Sequence, residues 1–207
     1  MHAEGGVFTP GNEVDQLKWL PVEAATAALT HDRDRDLLRR FAEGPIVTRT
    51  VLLVRHATAG ARQKWKGDDR ARPIDAHGVR QAEELVWLLT RWDVRGIVTA
   101  DVLRCVQTMN SLAAAIGLAI EECSALSEDA YPERAEEAVE LVRGLGNRHF
   151  ASVVCTQGAV IPDLLGRLAR ADDVLLPQDL PYKKGSVVAL TFYRRRLISC
   201  EYFPPPV

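Results

Sequence analysis

An arginine and a histidine, Arg55-His56, close the apolar run Val51-Leu52-Leu53-Val54, and small residues and Gly60 follow them. Two more polar clusters occupy like positions. One leads to Arg104 after Gly96-Ile97-Val98-Thr99-Ala100, and the other is Thr156-Gln157-Gly158 after Ser152-Val153-Val154-Cys155. Guanidinium groups offer planar, bidentate donors to phosphoryl oxygens, so Arg55 and Arg104 beside a histidine make a natural phosphate site. A neutral imidazole nitrogen can attack phosphorus and hold the phosphoryl group covalently. Nearby cations disfavour the imidazolium and leave that lone pair available at physiological pH. Phosphoryl transfer then needs mainly positioning and charge stabilisation.

Such clusters need a frame that gathers strand ends. From residue 51 onward apolar strands alternate with helical periodicity, the pattern of a sheet covered by helices on both faces. The predicted class is α/β, a three-layer α/β/α arrangement around a mostly parallel sheet. Ligands bind there beyond the carboxyl ends of the strands. The spacing predicts strands at 51–55, 96–100, 119–123 and 152–156. Helices are predicted from Gly78 through Leu89, from an Asp101 N-cap toward Ile116, over 133–145 and over 160–170. Val187 to Tyr193 and Leu197 to Tyr202 read as a closing hairpin, and Pro204-Pro205-Pro206 cannot pair as a strand.

Composition narrows the classes further. A chain of 207 residues suits one full domain plus an appendage, and 47% hydrophobic residues are ample for a core. The net charge of −2 gives no global attraction to nucleic acid polymers or anionic membranes. No apolar run approaches the roughly 20 residues that span a bilayer, and the N-terminus lacks a signal-peptide core. Cys105, Cys123, Cys155 and Cys200 are scattered, without metal-ligand spacing. The expectation is a cytoplasmic protein with reduced cysteines, no metal and no cofactor.

Residues 1–44 read as a separate segment. Leu17-Lys18-Trp19-Leu20 is a candidate short strand closed by Pro21. Val22 to Leu29 and Arg33 to Ala42 are candidate helices, the second capped by Asp32. One strand and two helices cannot enclose a core, so the segment is expected to dock on something. Glu13-Val14-Asp15-Gln16-Leu17-Lys18-Trp19-Leu20-Pro21 resembles the late strand of a MutT-type Nudix domain, and 1–44 is similar to that family's C-terminal tail. The Nudix box, whose glutamates hold metal, is absent from the 207 residues, so no Nudix chemistry is expected.

The remainder, 45–207, resembles the histidine phosphatase superfamily, in its phosphoglycerate mutase and SixA branch. Arg55-His56-Ala57 matches the family's Arg-His-Gly or Arg-His-Ala signature. Arg72-Pro73-Ile74-Asp75-Ala76-His77-Gly78-Val79-Arg80-Gln81-Ala82 and Ala100-Asp101-Val102-Leu103-Arg104-Cys105-Val106-Gln107-Thr108 resemble two later motifs in order. The resemblance implies that His56 is the phosphorylated nucleophile and that Arg55 and Arg104 bind the phosphoryl group. Leu126-Ser127-Glu128 matches a family proton-donor segment, making Glu128 the candidate acid, with Asp129 as the other option. Gln157 stands where the family usually places a second histidine. An amide can hydrogen-bond a phosphoryl oxygen but cannot become cationic.

Taken together, the Nudix-like tail and these motifs resemble the C-terminal half of actinobacterial two-domain MutT proteins, in which the Thr-Gln-Gly form occurs. That resemblance implies hydrolysis of nucleoside di- and triphosphates, including oxidised guanine nucleotides. The substrate-binding set is then Thr58, Lys64, Lys66, Arg70, Arg72, Gly158 and Lys184; Arg62, Lys64, Lys66, Arg70 and Arg72 form a basic loop suited to a polyphosphate, with Lys183 and Lys184 as helpers. Three readings stay open: this nucleotide phosphohydrolase, a SixA-like phosphatase of protein phosphohistidine, and a non-catalytic nucleotide-binding or docking module. The loop is also readable as a solvated face neutralised by Asp68 and Asp69. The expected partners are a phosphorylated small molecule and either a second copy of the chain or a Nudix domain docked through 1–44.

Overall fold

The computed structural model describes residues 8–45, 47–177 and 180–206. It divides after Val47 into two compact units. The smaller unit holds α1 (Val22–Ala28) and α2 (Asp32–Glu43), and neither helix has a buried residue. Residues 17–20, expected as a strand, form none. A lone extended segment without a neighbour leaves its backbone donors and acceptors to solvent, so no ladder stabilises it. Asp32, expected as a cap, is instead the first residue of α2, where it pairs with Arg35 at 2.6 Å.

The larger unit is built on a six-stranded mixed sheet in the order β3-β2-β4-β1-β5-β6. The strands are β1 (Arg49–Arg55), β2 (Val94–Thr99), β3 (Ile120–Glu122), β4 (Ala151–Thr156), β5 (Val187–Tyr193) and β6 (Arg196–Phe203). Four of them, β3-β2-β4-β1, run parallel, while β5 and β6 are antiparallel additions at the β1 side. Burial follows the sequence pattern. Val51 to Val54 are fully buried, as is every residue of β4, which suits strands with both faces covered.

The helices are α3 (Ala76–Leu89), α4 (Leu103–Ile116), α5 (Tyr131–Leu145) and α6 (Val160–Asp172). The chain steps from β1 past β4 to β2 and on to β3, then reverses toward β4 and β5. Right-handed crossovers therefore put α3 and α4 on one face and α5 and α6 on the other. The direction changes between β1 and β4, which are hydrogen-bonded neighbours with Arg55 opposite Thr156. A crevice opens at the carboxyl ends of strands where the winding reverses.

Three helix starts of the larger unit differ from the sequence reading, α5 by beginning at Tyr131 rather than 133. Helix α3 begins at Ala76 rather than Gly78, because the Asp75 carboxylate accepts from the Gly78 N–H at 2.8 Å and caps it. Asp101 does not cap α4, whose flanking residue is Val102. Its carboxylate instead accepts from Ser127 Oγ and pairs with Arg70 at 2.7 Å. Among the described residues no helix is long and apolar enough to cross a membrane.

Candidate active site

His56 emerges from the end of β1 with its N–H bonded to Thr156 O at 3.0 Å, the last rung between β1 and β4. Its side chain is buried, and Nδ1–H donates to the Ala57 carbonyl at 2.7 Å. A carbonyl can only accept, so Nδ1 carries the proton and Nε2 keeps the lone pair. Burial pushes the ring down to about 3. The Ala57 hydrogen bond opposes the shift, and the charges of Arg104, Arg55 and Lys184 add to it. The imidazole is thus neutral across the physiological range.

The two arginines arrive from different elements. Arg55, the last residue of β1, donates to Tyr182 O, and burial lowers its pKa against the pull of the Glu128 carboxylate. Arg104 lies in the first turn of α4 and is only 2% exposed. It donates to the Asp69 carbonyl at 2.7 Å and pairs with the Asp69 carboxylate at 3.0 Å. The Nε atoms of both arginines are buried without a partner among the described residues. Lys184 completes the cationic group. It is brought in by the turn that precedes β5, where Gly185 N–H reaches Arg55 O at 3.0 Å with φ of +78°. Burial lowers the Lys184 pKa, and Arg55, Arg72 and Arg104 reinforce this.

Around this centre the backbone is held by polar side chains. The Ala57 N–H donates to Thr108 Oγ1 at 3.0 Å, and the Thr58 N–H to Gln81 Oε1 at 3.0 Å. Gln107 Oε1 accepts from the Ile74 N–H at 2.9 Å. Thr58 turns its hydroxyl to Asp75 at 2.8 Å. Gly78 must lack a side chain, because a Cβ there would lie 2.0 Å from the Thr58 carbonyl. Gly158 faces the Arg55 guanidinium, with a Cβ placed 2.6 Å from it.

The basic loop divides into two sets. Arg70 pairs with Asp129 at 2.5 Å and with Asp101, and Arg72 is buried against Asp69 at 2.8 Å and the Ala59 carbonyl at 2.7 Å. Lys64 and Lys66 are exposed, and so is Lys183. Burial alone would raise the Asp69 carboxyl. The Arg72 hydrogen bond and the charges of Arg104, Arg72 and Arg62 hold it below the ordinary carboxylate value instead. Trp65 covers the loop, donating to Asp68 O at 2.9 Å.

Glu128 and Gln157 meet across the crevice. Gln157 Nε2 donates to Glu128 Oε2 at 3.0 Å, and its Oε1 accepts from the Glu128 N–H at 2.8 Å. His77 is exposed and His149 bonds Arg49, whereas His2 lies outside the described residues. Sequence reasoning gave no part in the site to Asp69, read only as a neutralising surface charge, nor to Asp75, Gln81, Gln107, Thr108 or Ser127. Five of these six lie inside the motifs already quoted, and polar residues that end up buried beside apolar helix and strand positions were the available signal. Asp69 had none, since one aspartate among many charges looks solvated.

Residues 51–133 match the family model for the histidine phosphatase superfamily (branch 1). A relative from Mycolicibacterium smegmatis named 8-oxo-(d)GTP phosphatase is 41% identical over 202 residues. That match takes in 98% of this chain and 62% of the relative, so the chain spans a little under two thirds of that protein's length. Two solved structures share the fold. One is assigned as phosphohistidine phosphatase SixA from Nakamurella multipartitia, at 20% identity and a TM-score of 0.59, covering 79% of this chain and 100% of that one. The other, with the same assignment from Agrobacterium tumefaciens, has 22% identity and a TM-score of 0.57, covering 75% of this chain and 98% of that one.

Proposed function

We propose that this chain, whose residues 51–133 match the histidine phosphatase superfamily model and whose fold is shared with the two SixA structures, is a phosphohydrolase of nucleoside di- and triphosphates. Oxidised guanine nucleotides such as 8-oxo-dGDP are the first substrates to try, and the intermediate is a phosphohistidine at His56. One observation carries the reading: a buried, neutral, Nδ1-protonated imidazole lies beside two arginines whose Nε donors have no partner among the described residues. A phosphoryl group supplies acceptors to those donors and an electrophile to Nε2. The nucleotide assignment draws its support from the 41% identical relative. No step requires a metal or cofactor.

In the first half-reaction Nε2 bonds to phosphorus, and the bond to the leaving oxygen breaks with its electron pair going to that oxygen. Glu128 supplies the proton. In the second half, Glu128 takes a proton from water as the water oxygen bonds phosphorus and the N–P pair returns to Nε2. The His56→Asn variant should lose about a thousandfold or more in kcat/KM and fail to retain label after acid-free quench with [β-³²P]8-oxo-dGDP. Unchanged turnover in that variant would sink the assignment.

The commitment of Arg70 and Arg72 to carboxylates favours a second reading. Fewer uncommitted cations suit a single phosphoryl group, as in a SixA-like phosphatase of protein phosphohistidine. A panel pitting 8-oxo-dGDP against a phosphohistidine-bearing protein decides between them. Residues 1–44 fit a C-terminal Nudix remnant that docks a Nudix catalytic segment or a second copy of the chain. The reach of the 41% match over nearly the whole chain supports keeping this segment with the phosphatase unit.

A further inference from the structure

Gln157 is 4% exposed, and both ends of its amide are used on one residue, Glu128. The donor goes to the carboxylate and the acceptor to the backbone N–H, a two-point clamp closed at 3.0 and 2.8 Å. The preceding residues are pinned too. Thr156 Oγ1 donates to the Leu126 carbonyl at 2.6 Å, and Ser127 Oγ donates to Asp101. Residues 126–128 are therefore each held by a different side chain, two of them from the end of β4 and one from the end of β2. Glu128 itself is exposed, and its carboxylate has no other hydrogen-bond donor among the described residues. Without the clamp, a glutamate in a loop would sample many rotamers.

We propose that Gln157 is a positioning residue whose function is to aim the Glu128 carboxyl at the leaving oxygen. The proposal rests on the phosphohydrolase reading above. An amide suits the task because it carries a donor and an acceptor at once, whereas a doubly protonated imidazole has no acceptor and could not hold the Glu128 N–H. Gln157 thus does not stand in for a lost proton shuttle. It sets the direction in which Glu128 delivers the proton as the P–O bond breaks and its electron pair leaves with the oxygen.

The test compares two aryl esters that differ in the basicity of the leaving oxygen, phenyl phosphate and p-nitrophenyl phosphate. A basic leaving oxygen needs the proton, and a stabilised nitrophenolate does not. Gln157→Ala should lower kcat/KM on phenyl phosphate about tenfold or more and change p-nitrophenyl phosphate by less than about threefold. Glu128→Gln should show the same split, and adding Gln157→Ala to it should cost nothing further. If the alanine variant does not fold, Gln157→Leu, closer in size, must show the same pattern. Equal losses on both esters, or additive losses in the double variant, overturn the proposal and make Gln157 a direct phosphoryl ligand. His56→Asn run alongside separates the two levels: full activity in that variant overturns the phosphohistidine reading itself.

Discussion

His56 is held neutral by its surroundings, and this has a measurable consequence for stability. Burial, then Arg104, Arg55 and Lys184, set its pKa at about 3 against an ordinary 6.5. Above the ordinary value the ring is neutral in both native and unfolded chains and adds no pH dependence. Between 6.5 and about 3 only the unfolded chain binds the proton, so native stability falls as the pH falls. Calorimetry should show a smaller drop in Tm from pH 7 to pH 5 for His56→Asn than for the wild type. A ¹⁵N–¹H spectrum should show the Nδ1–H tautomer persisting through pH 5, and a midpoint near 6.5 would falsify the neutral-nucleophile picture. Asp69 matters at the same scale, because it is the carboxylate that faces buried Arg104 and Arg72. Asp69→Asn leaves those cations uncompensated and should cost about 3 kcal/mol in urea denaturation.

The elements position the site through close approaches that only glycine permits. Helix α3 packs its first turn against the Thr58 carbonyl, so Gly78→Ala forces backbone apart and should destabilise by about 3 kcal/mol. Gly158 meets a side chain rather than backbone. Gly158→Ala should displace the Arg55 guanidinium, lowering kcat/KM about tenfold while Tm stays within a few degrees. Finding a large Tm loss in Gly158→Ala, or none in Gly78→Ala, would contradict this division. Strand ends matter in the same way. Thr156 and Gln157 carry the end of β4 directly into the clamp on 126–128, so the rigid sheet, and not a loop, fixes Glu128.

At the scale of the molecule, the larger unit carries a contiguous core from Val51 to Leu197, and every residue of the candidate site lies within it. The fragment 48–207 is therefore expected to fold alone, with a Tm within a few degrees of the full chain and with label still captured on His56. Loss of either property on removing 1–47 would show that the smaller unit supports the site. The described residues of α1 and α2 bury nothing, and Trp19 and Leu37 are largely exposed, so this unit has no core of its own to lose.

The sequence by itself determined the α/β architecture, the three strand ends and the Arg55, His56 and Arg104 set. Those signals are local: an apolar run of period-free residues, a polar residue where it stops, a helical period after it. It also placed the β5–β6 hairpin, although its Arg194-Arg195 turn takes positive φ at both residues without the usual Asn or Gly. Only the tertiary structure decided which charges answer which. Asp69 is far in sequence from Arg104, Asp101 from Ser127 and Arg70 from Asp129, and no spacing rule links them. The same holds for Gln157. By type it is an amide where a histidine was expected, and its partner Glu128 is 29 residues away. Packing brought the two to hydrogen-bond distance, because the right-handed crossovers around a reversing sheet set the loop before α5 beside the end of β4.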